Sequence, residues 1–109
     1  MHPELSVAEL AAWLKQTDKP ALLDVREPWE VNLASLANAT AIPMGQVVSR
    51  MAEIEALADT QPVVVFCHHG VRSLQVVAYL QRQGVSNTHN LAGGIDAWSK
   101  TVDATVALY

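Results

Sequence analysis

The chain has 109 residues, 50% hydrophobic and 17% charged, with a net charge of −4 and a pI near 5.4. That length suits one domain spanning 1–109, and the acidic balance excludes the basic footprint of a nucleic-acid binder. One cysteine excludes an internal disulfide and agrees with a reducing compartment. Met1-His2-Pro3-Glu4 has neither the basic start nor the apolar core of a signal peptide, and no apolar run is long enough to span a bilayer. A cytoplasmic protein without nucleic-acid or membrane partners is the expectation.

In chain order, Ser6 and Glu9 form a capping box for a first helix carrying Val7, Leu10 and Leu14 at helical spacing. Thr17-Asp18-Lys19-Pro20 breaks it, and Ala21 to Arg26 reads as a short buried strand ending in charge. Pro28 opens a brief helix over Trp29 to about Leu36. Thr40-Ala41-Ile42 reads as a second strand closed by Pro43. Val47, Met51, Ile54 and Ala58 then mark one helix face. Val63 to Phe66 reads as a buried strand that delivers Cys67. The loop 68–73 follows, and then a helix from Leu74 to Gln83 that ends at Gly84. His89-Asn90-Leu91 reads as the last strand and Ala92-Gly93-Gly94 as a turn into a short helix with Ile95 and Trp98 inward. Thr101 to Tyr109 either packs on the surface or frays. Trp13, Trp29 and Trp98 read as core or rim packing, and His89 as a structural residue or one near the rim rather than a catalytic one.

Strands alternating with helices through short connectors predict an α/β domain with a parallel sheet. In such sheets ligands sit beyond the carboxyl ends of the strands. Cys67, Arg26 and the Gly93-Gly94 turn all fall at such ends, so three loops can converge on one crevice. A thiol on a strand-to-helix turn faces backbone N–H groups and the positive end of the next helix, which favour the thiolate. Gly70 permits an unusual backbone angle in that turn. Ser73 is placed to donate to the sulfur or to cap the helix. Arg72 is expected to hold the loop by pairing with Asp24. Arg26 divides evenly between substrate contact and a structural pairing. Adjacent side chains on a short turn diverge, so His68 and His69 are assigned neither as a base nor, with Cys67, as a metal site. A base is also less necessary once the cradle lowers the thiol pKa.

Cys67-His68-His69-Gly70-Val71-Arg72-Ser73 resembles the Cys-x-x-Gly-x-Arg-Ser active-site loop of rhodanese-type sulfurtransferases. Asp24-Val25-Arg26-Glu27-Pro28-Trp29-Glu30, the Ala39 to Pro43 stretch and Leu91-Ala92-Gly93-Gly94-Ile95-Asp96-Ala97-Trp98 resemble three further motifs of that family, in order over about 22–98. The resemblance implies a central parallel sheet of about five short strands between helices on both faces. It implies that Cys67 takes a sulfane sulfur from thiosulfate or a persulfide and passes it, as a persulfide, to cyanide, a thiol or a protein. His68, His69, Gly70, Val71, Arg72 and Ser73, with Arg26 on the rim, are implied as substrate-binding, and Asp24 with Arg72 as supports of the loop. No cofactor or metal is implied, and a monomer or weak dimer is expected.

Four residues separate Cys67 from Arg72, whereas related phosphatases and arsenate reductases place five, so sulfur chemistry is favoured over those. A non-enzymatic sulfur carrier or docking module is the other alternative. The chain departs from the family at Ala34-Ser35-Leu36, where many members have Gly-His-Ile, and at Ala37-Asn38, where they have Pro-Gly. His68 and His69 also stand where some thiosulfate users carry permanent cations. Thiosulfate is therefore expected to be a poor donor at neutral pH that improves as the pH drops.

Overall fold

The structure, a computed structural model, describes residues 4–109; the opening Met1-His2-Pro3 lies outside them. Five parallel strands form one sheet: β1 (Glu4–Leu5), β2 (Ala21–Asp24), β3 (Thr40–Ala41), β4 (Val63–Phe66) and β5 (Thr88–Leu91), in the order β1-β5-β4-β2-β3. The helices are α1 (Val7–Trp13), α2 (Pro28–Leu33), α3 (Met51–Thr60), α4 (Val71–Arg82) and α5 (Gly94–Thr101).

β4 is central because it is apolar on both faces. Val63, Val64, Val65 and Phe66 are all fully buried, as a strand covered from both sides requires. Side chains alternate along it. Val63 and Val65 join Leu23, Val25, Ile54, Val76, Val77 and Leu80 beneath α3 and α4. Val64 and Phe66 join Leu10, Leu22, Leu91, Ile95 and Trp98 beneath α1 and α5. Each fully buried side chain of this size contributes about 1.5–3 kcal/mol, so the strand that ends at Cys67 is firmly held.

The expected alternation and the capping box are present: Glu9 N–H donates to Ser6 Oγ at 3.0 Å and Ser6 N–H to Glu9 Oε1 at 2.9 Å. Gly84 ends α4 with φ of +91°, the left-handed geometry open to glycine. β1 carries no periodic signal, being two residues long, and is held by pairing with β5. α2 stops at Leu33, and Met44–Gln46 forms a 3-10 turn before α3 begins at Met51. α4 begins three residues earlier than its apolar spacing suggests, at Val71. The segment after α5 packs back, with Val106 and Tyr109 against the Phe66 side of the core.

Candidate active site

Cys67 directly follows β4 at its carboxyl end, and Gly70, with φ of +97°, turns the chain into α4. Gly70 N–H donates to Cys67 Sγ at 3.2 Å and Ser73 N–H at 3.4 Å, while the Ser73 hydroxyl lies 3.3 Å from the sulfur. The first N–H groups of a helix lack intrahelical acceptors, and that of Ser73, in the first turn of α4, is spent on the sulfur. Neighbouring loops fix its shape. Asn90 Nδ2 donates to the Gly70 carbonyl at 3.1 Å. Ile95 and Asp96 N–H donate to the Cys67 and His68 carbonyls, each at 3.0 Å. A Cβ at Gly94 would stand 2.5 Å from both of those carbonyl oxygens, so only glycine allows this approach.

Burial pushes the Cys67 thiol up, but hydrogen bonds from the Ser73 hydroxyl and the Ser73, Gly70 and His69 N–H groups outweigh it. The net shift is below the ordinary thiol value of 9.0. The sulfur is held as the sequence suggests, yet deeper than a nucleophile open to its substrate: Cys67 is 1% exposed.

Two expectations need correction. Arg72 does not pair with Asp24. It grips Glu30 of α2 with both terminal nitrogens, at 2.6 and 2.9 Å. Asp24 is taken by Arg26 Nε and Nη2, at 2.9 and 2.7 Å. Arg26 is therefore not a rim residue. It is 0% exposed, with its remaining donors on the Ala34 carbonyl at 2.7 Å and the Tyr109 hydroxyl at 2.9 Å. The physical reason is that a buried guanidinium needs an acceptor for each N–H, and Asp24, two residues away, supplies two.

His68 and His69 also do not diverge: their ring centroids are 3.9 Å apart. Tyr109 stacks on the other face of His68 at 3.8 Å with an 8° interplanar angle, and its hydroxyl donates to Glu30 Oε2 at 2.7 Å. Burial and the adjacent His69 hold His68 below the ordinary imidazole range. Among the described residues, the His68, His69 and Asp96 ligand atoms form one group within 4.8 Å. Asp96 there already accepts Lys100 Nζ at 2.9 Å, so the carboxylate serves a cation of this chain.

Beside the loop lies a cavity of about 750 Å³ with Trp29, Leu33, His68 and Tyr109 among its walls and Glu27 and Arg72 at its polar side. A second groove of about 830 Å³ runs along Lys19 to Leu22 and Ala34 to Asn38, and none of the Cys67 loop lines it.

Three site residues escape the sequence. Glu30 lies inside a quoted motif, but its partner is 42 residues away. Asn90 looks like any strand residue until its partner Gly70 is known, although a buried asparagine always needs one. Tyr109 lies in a segment without periodicity.

Parallel strands between helices, with a cysteine cradled at the end of the central strand, define a class of α/β domain that carries this cysteine on a strand-to-helix loop. The chain belongs to the rhodanese-like domain family, which matches residues 6–101. It is 37% identical to a protein named "Sulfurtransferase" from Allochromatium vinosum, over 92% of this chain and 91% of that one. It is 31% identical to "Thiosulfate sulfurtransferase GlpE" from Vibrio cholerae, over 92% and 89%. Other relatives are longer, and the chain spans 31% and 26% of their length. The solved structure of a rhodanese-related protein from Thermoplasma volcanium superposes with a TM-score of 0.82 at 30% identity, covering 99% of this chain and 100% of that one. No helix among the described residues is long and apolar enough to cross a membrane.

Proposed function

We propose that this domain is a sulfurtransferase that moves a sulfane sulfur from a donor to a thiophilic acceptor through a persulfide on Cys67. The observation that carries this is the Cys67 cradle: two N–H groups and a hydroxyl within 3.4 Å of the sulfur. The Cys67 thiolate attacks the outer sulfur of the donor, and the donor's remaining fragment leaves with the electron pair of the broken S–S bond. The new terminal sulfur carries negative charge, and fixed amide donors at the start of α4 stabilise it without reorganising. An acceptor nucleophile then attacks that sulfur and frees Cys67, so the two half-reactions alternate.

Positions 68–73 shape the cradle, with Arg72 held by Glu30 and the strand ends by Asp24 and Arg26. With Cys67 1% exposed, donor access requires local movement, and we place it at His68, the next residue, which is in ring contact with His69 and Tyr109. Agreement with relatives named as sulfurtransferases supports this reading.

Intact mass measurement after incubation with thiosulfate or a persulfide tests it. Wild type should gain the mass of one sulfur atom and lose it to cyanide with turnover, whereas Cys67→Ser should gain nothing. An adduct on both proteins, or on neither, overturns the assignment. Persulfide released to a single protein only would make the domain a carrier, and hydrolysis of an aryl phosphate would make it a phosphatase.

A further inference from the structure

The site's chemistry separates two donor classes. Of the seven Lys and Arg residues, Arg26, Arg72 and Lys100 are the ones whose partners lie around the loop, and each is already matched to a carboxylate. Arg26 is buried on Asp24, Arg72 is bidentate on Glu30, and Lys100 is on Asp96. Arg50 pairs with Glu53 on α3. Lys15 and Lys19 precede β2, at the opposite end of the sheet from Cys67. Arg82 closes α4 eleven residues after Val71, about 17 Å along the helix. Glu27 adds a negative group to the cavity beside the loop. Among the described residues, a dianion such as thiosulfate thus meets no uncommitted permanent cation at this loop, and desolvating it without one is costly.

The same cavity offers an apolar surface instead. Trp29 is 61% exposed and Leu33 52%. Trp29 meets the Tyr109 ring edge-on at 6.3 Å, and Tyr109 lies flat on His68, the residue next to Cys67. Three aromatic rings and a leucine therefore form a wall leading to the loop, suited to an uncharged organic group.

We propose that the donor is an organic persulfide, R–S–SH, whose uncharged apolar or aromatic R group lies against Trp29, Leu33 and Tyr109. This rests on the sulfurtransferase reading and names its substrate class. The Cys67 thiolate bonds to the terminal sulfur, the R–S–SH sulfur–sulfur bond breaks, and R–S⁻ departs with its electron pair. The proton of the transferred sulfur passes to the departing thiolate, which leaves as R–SH, and the Cys67 persulfide remains as the anion that the loop amides hold, so charge and atoms balance and no external oxidant or reductant enters.

The test compares three donors on the wild-type protein at one pH: benzyl persulfide, the persulfide of 2-mercaptoethanesulfonate, and thiosulfate. Each Cys67 loading rate, read by intact mass, is divided by the donor's rate with a free thiol. Benzyl persulfide should exceed the sulfonate persulfide at least about tenfold, because the two differ mainly in charge and apolar area. Thiosulfate should be slower still. Trp29→Ala and Leu33→Ser, both at exposed positions, should each raise the KM for benzyl persulfide several-fold more than that for thiosulfate.

Equal rates for the two persulfides, a faster thiosulfate reaction, or equal KM changes for both donors would overturn the donor assignment and leave sulfur transfer standing. Failure of all three donors to load Cys67 would instead remove the sulfurtransferase reading itself.

Discussion

Arg72 and Glu30 meet in a two-bond pair, Nη1 to Oε1 at 2.6 Å and Nη2 to Oε2 at 2.9 Å, across 42 residues of sequence. The pair ties the Cys67 loop to α2. Glu30 Oε1 also accepts from Glu27 N–H at 3.1 Å, and Oε2 from Tyr109 Oη at 2.7 Å, so one carboxylate serves three elements. Lysine at position 72 keeps the charge but cannot make two parallel bonds. Arg72→Lys should slow Cys67 persulfide formation by about tenfold, corresponding to about 1.4 kcal/mol. An unchanged loading rate would mean that the fork geometry is irrelevant to the loop.

The same carboxylate sets an acid limit on stability. Arg72 lowers Glu30 most. Burial opposes it, Tyr109 and Glu27 N–H add to the lowering, and the result falls from 4.5 to about 2. A carboxyl depressed in the folded state contributes stability above its unfolded pKa. That contribution is lost as pH falls through the folded value. The window is thus about pH 4.5 down to about 2. Urea midpoints measured across that window should fall more steeply for wild type than for Glu30→Gln, which cannot titrate there. Parallel slopes would show that Glu30 is not held in this way. At neutral pH, Glu30→Gln should be less stable by about 1–3 kcal/mol, since Arg72 keeps only part of its partner.

The sheet, its alternating helices and the cysteine loop were legible because each has a local cause. An all-apolar run marks β4, Gly70 marks the bend, and Ser6 with Glu9 marks a helix start. What failed was pairing between charges. Asp24, Arg26, Glu30 and Arg72 are two acids and two bases, and sequence order does not say which meets which. The answer depends on burial: Arg26 points inward and takes the nearest carboxylate, leaving Glu30 for Arg72. The Tyr109 roof over His68 was illegible for a similar reason, since a long-range ring contact leaves no spacing behind.

Ser73 is where the thiol chemistry can be read directly. Its side chain is 0% exposed and its hydroxyl lies 3.3 Å from the sulfur. Of the interactions that lower the Cys67 pKa against burial, this one is the largest. Ser73→Ala removes it while keeping the backbone N–H donor. The pH midpoint of Cys67 alkylation by iodoacetamide should therefore move upward, by about one unit. A purely structural serine would change stability without moving that midpoint.

Thiosulfate binding should respond to His68, and in a definite direction. Burial and then the adjacent His69 hold His68 below its ordinary 6.5. Asp96, Glu30 and the Tyr109 backbone pull the other way without prevailing. His68 is thus neutral at pH 7 and becomes cationic only on further acidification, later than an exposed histidine would. The groups facing it are His69 from the loop, Asp96 from α5, with Lys100 beyond it, Glu30 from α2 and Tyr109. Binding is best measured on Cys67→Ser, where thiol ionisation cannot contribute. The Kd for thiosulfate should be nearly flat from about pH 8 to about pH 7 and then fall below about pH 6.5, because the new imidazolium attracts the dianion. The further substitution His68→Gln should flatten the profile. A Kd that stays constant down to pH 5.5 would remove His68 from donor recognition, and tighter binding at high pH would reverse the sign of the electrostatic argument.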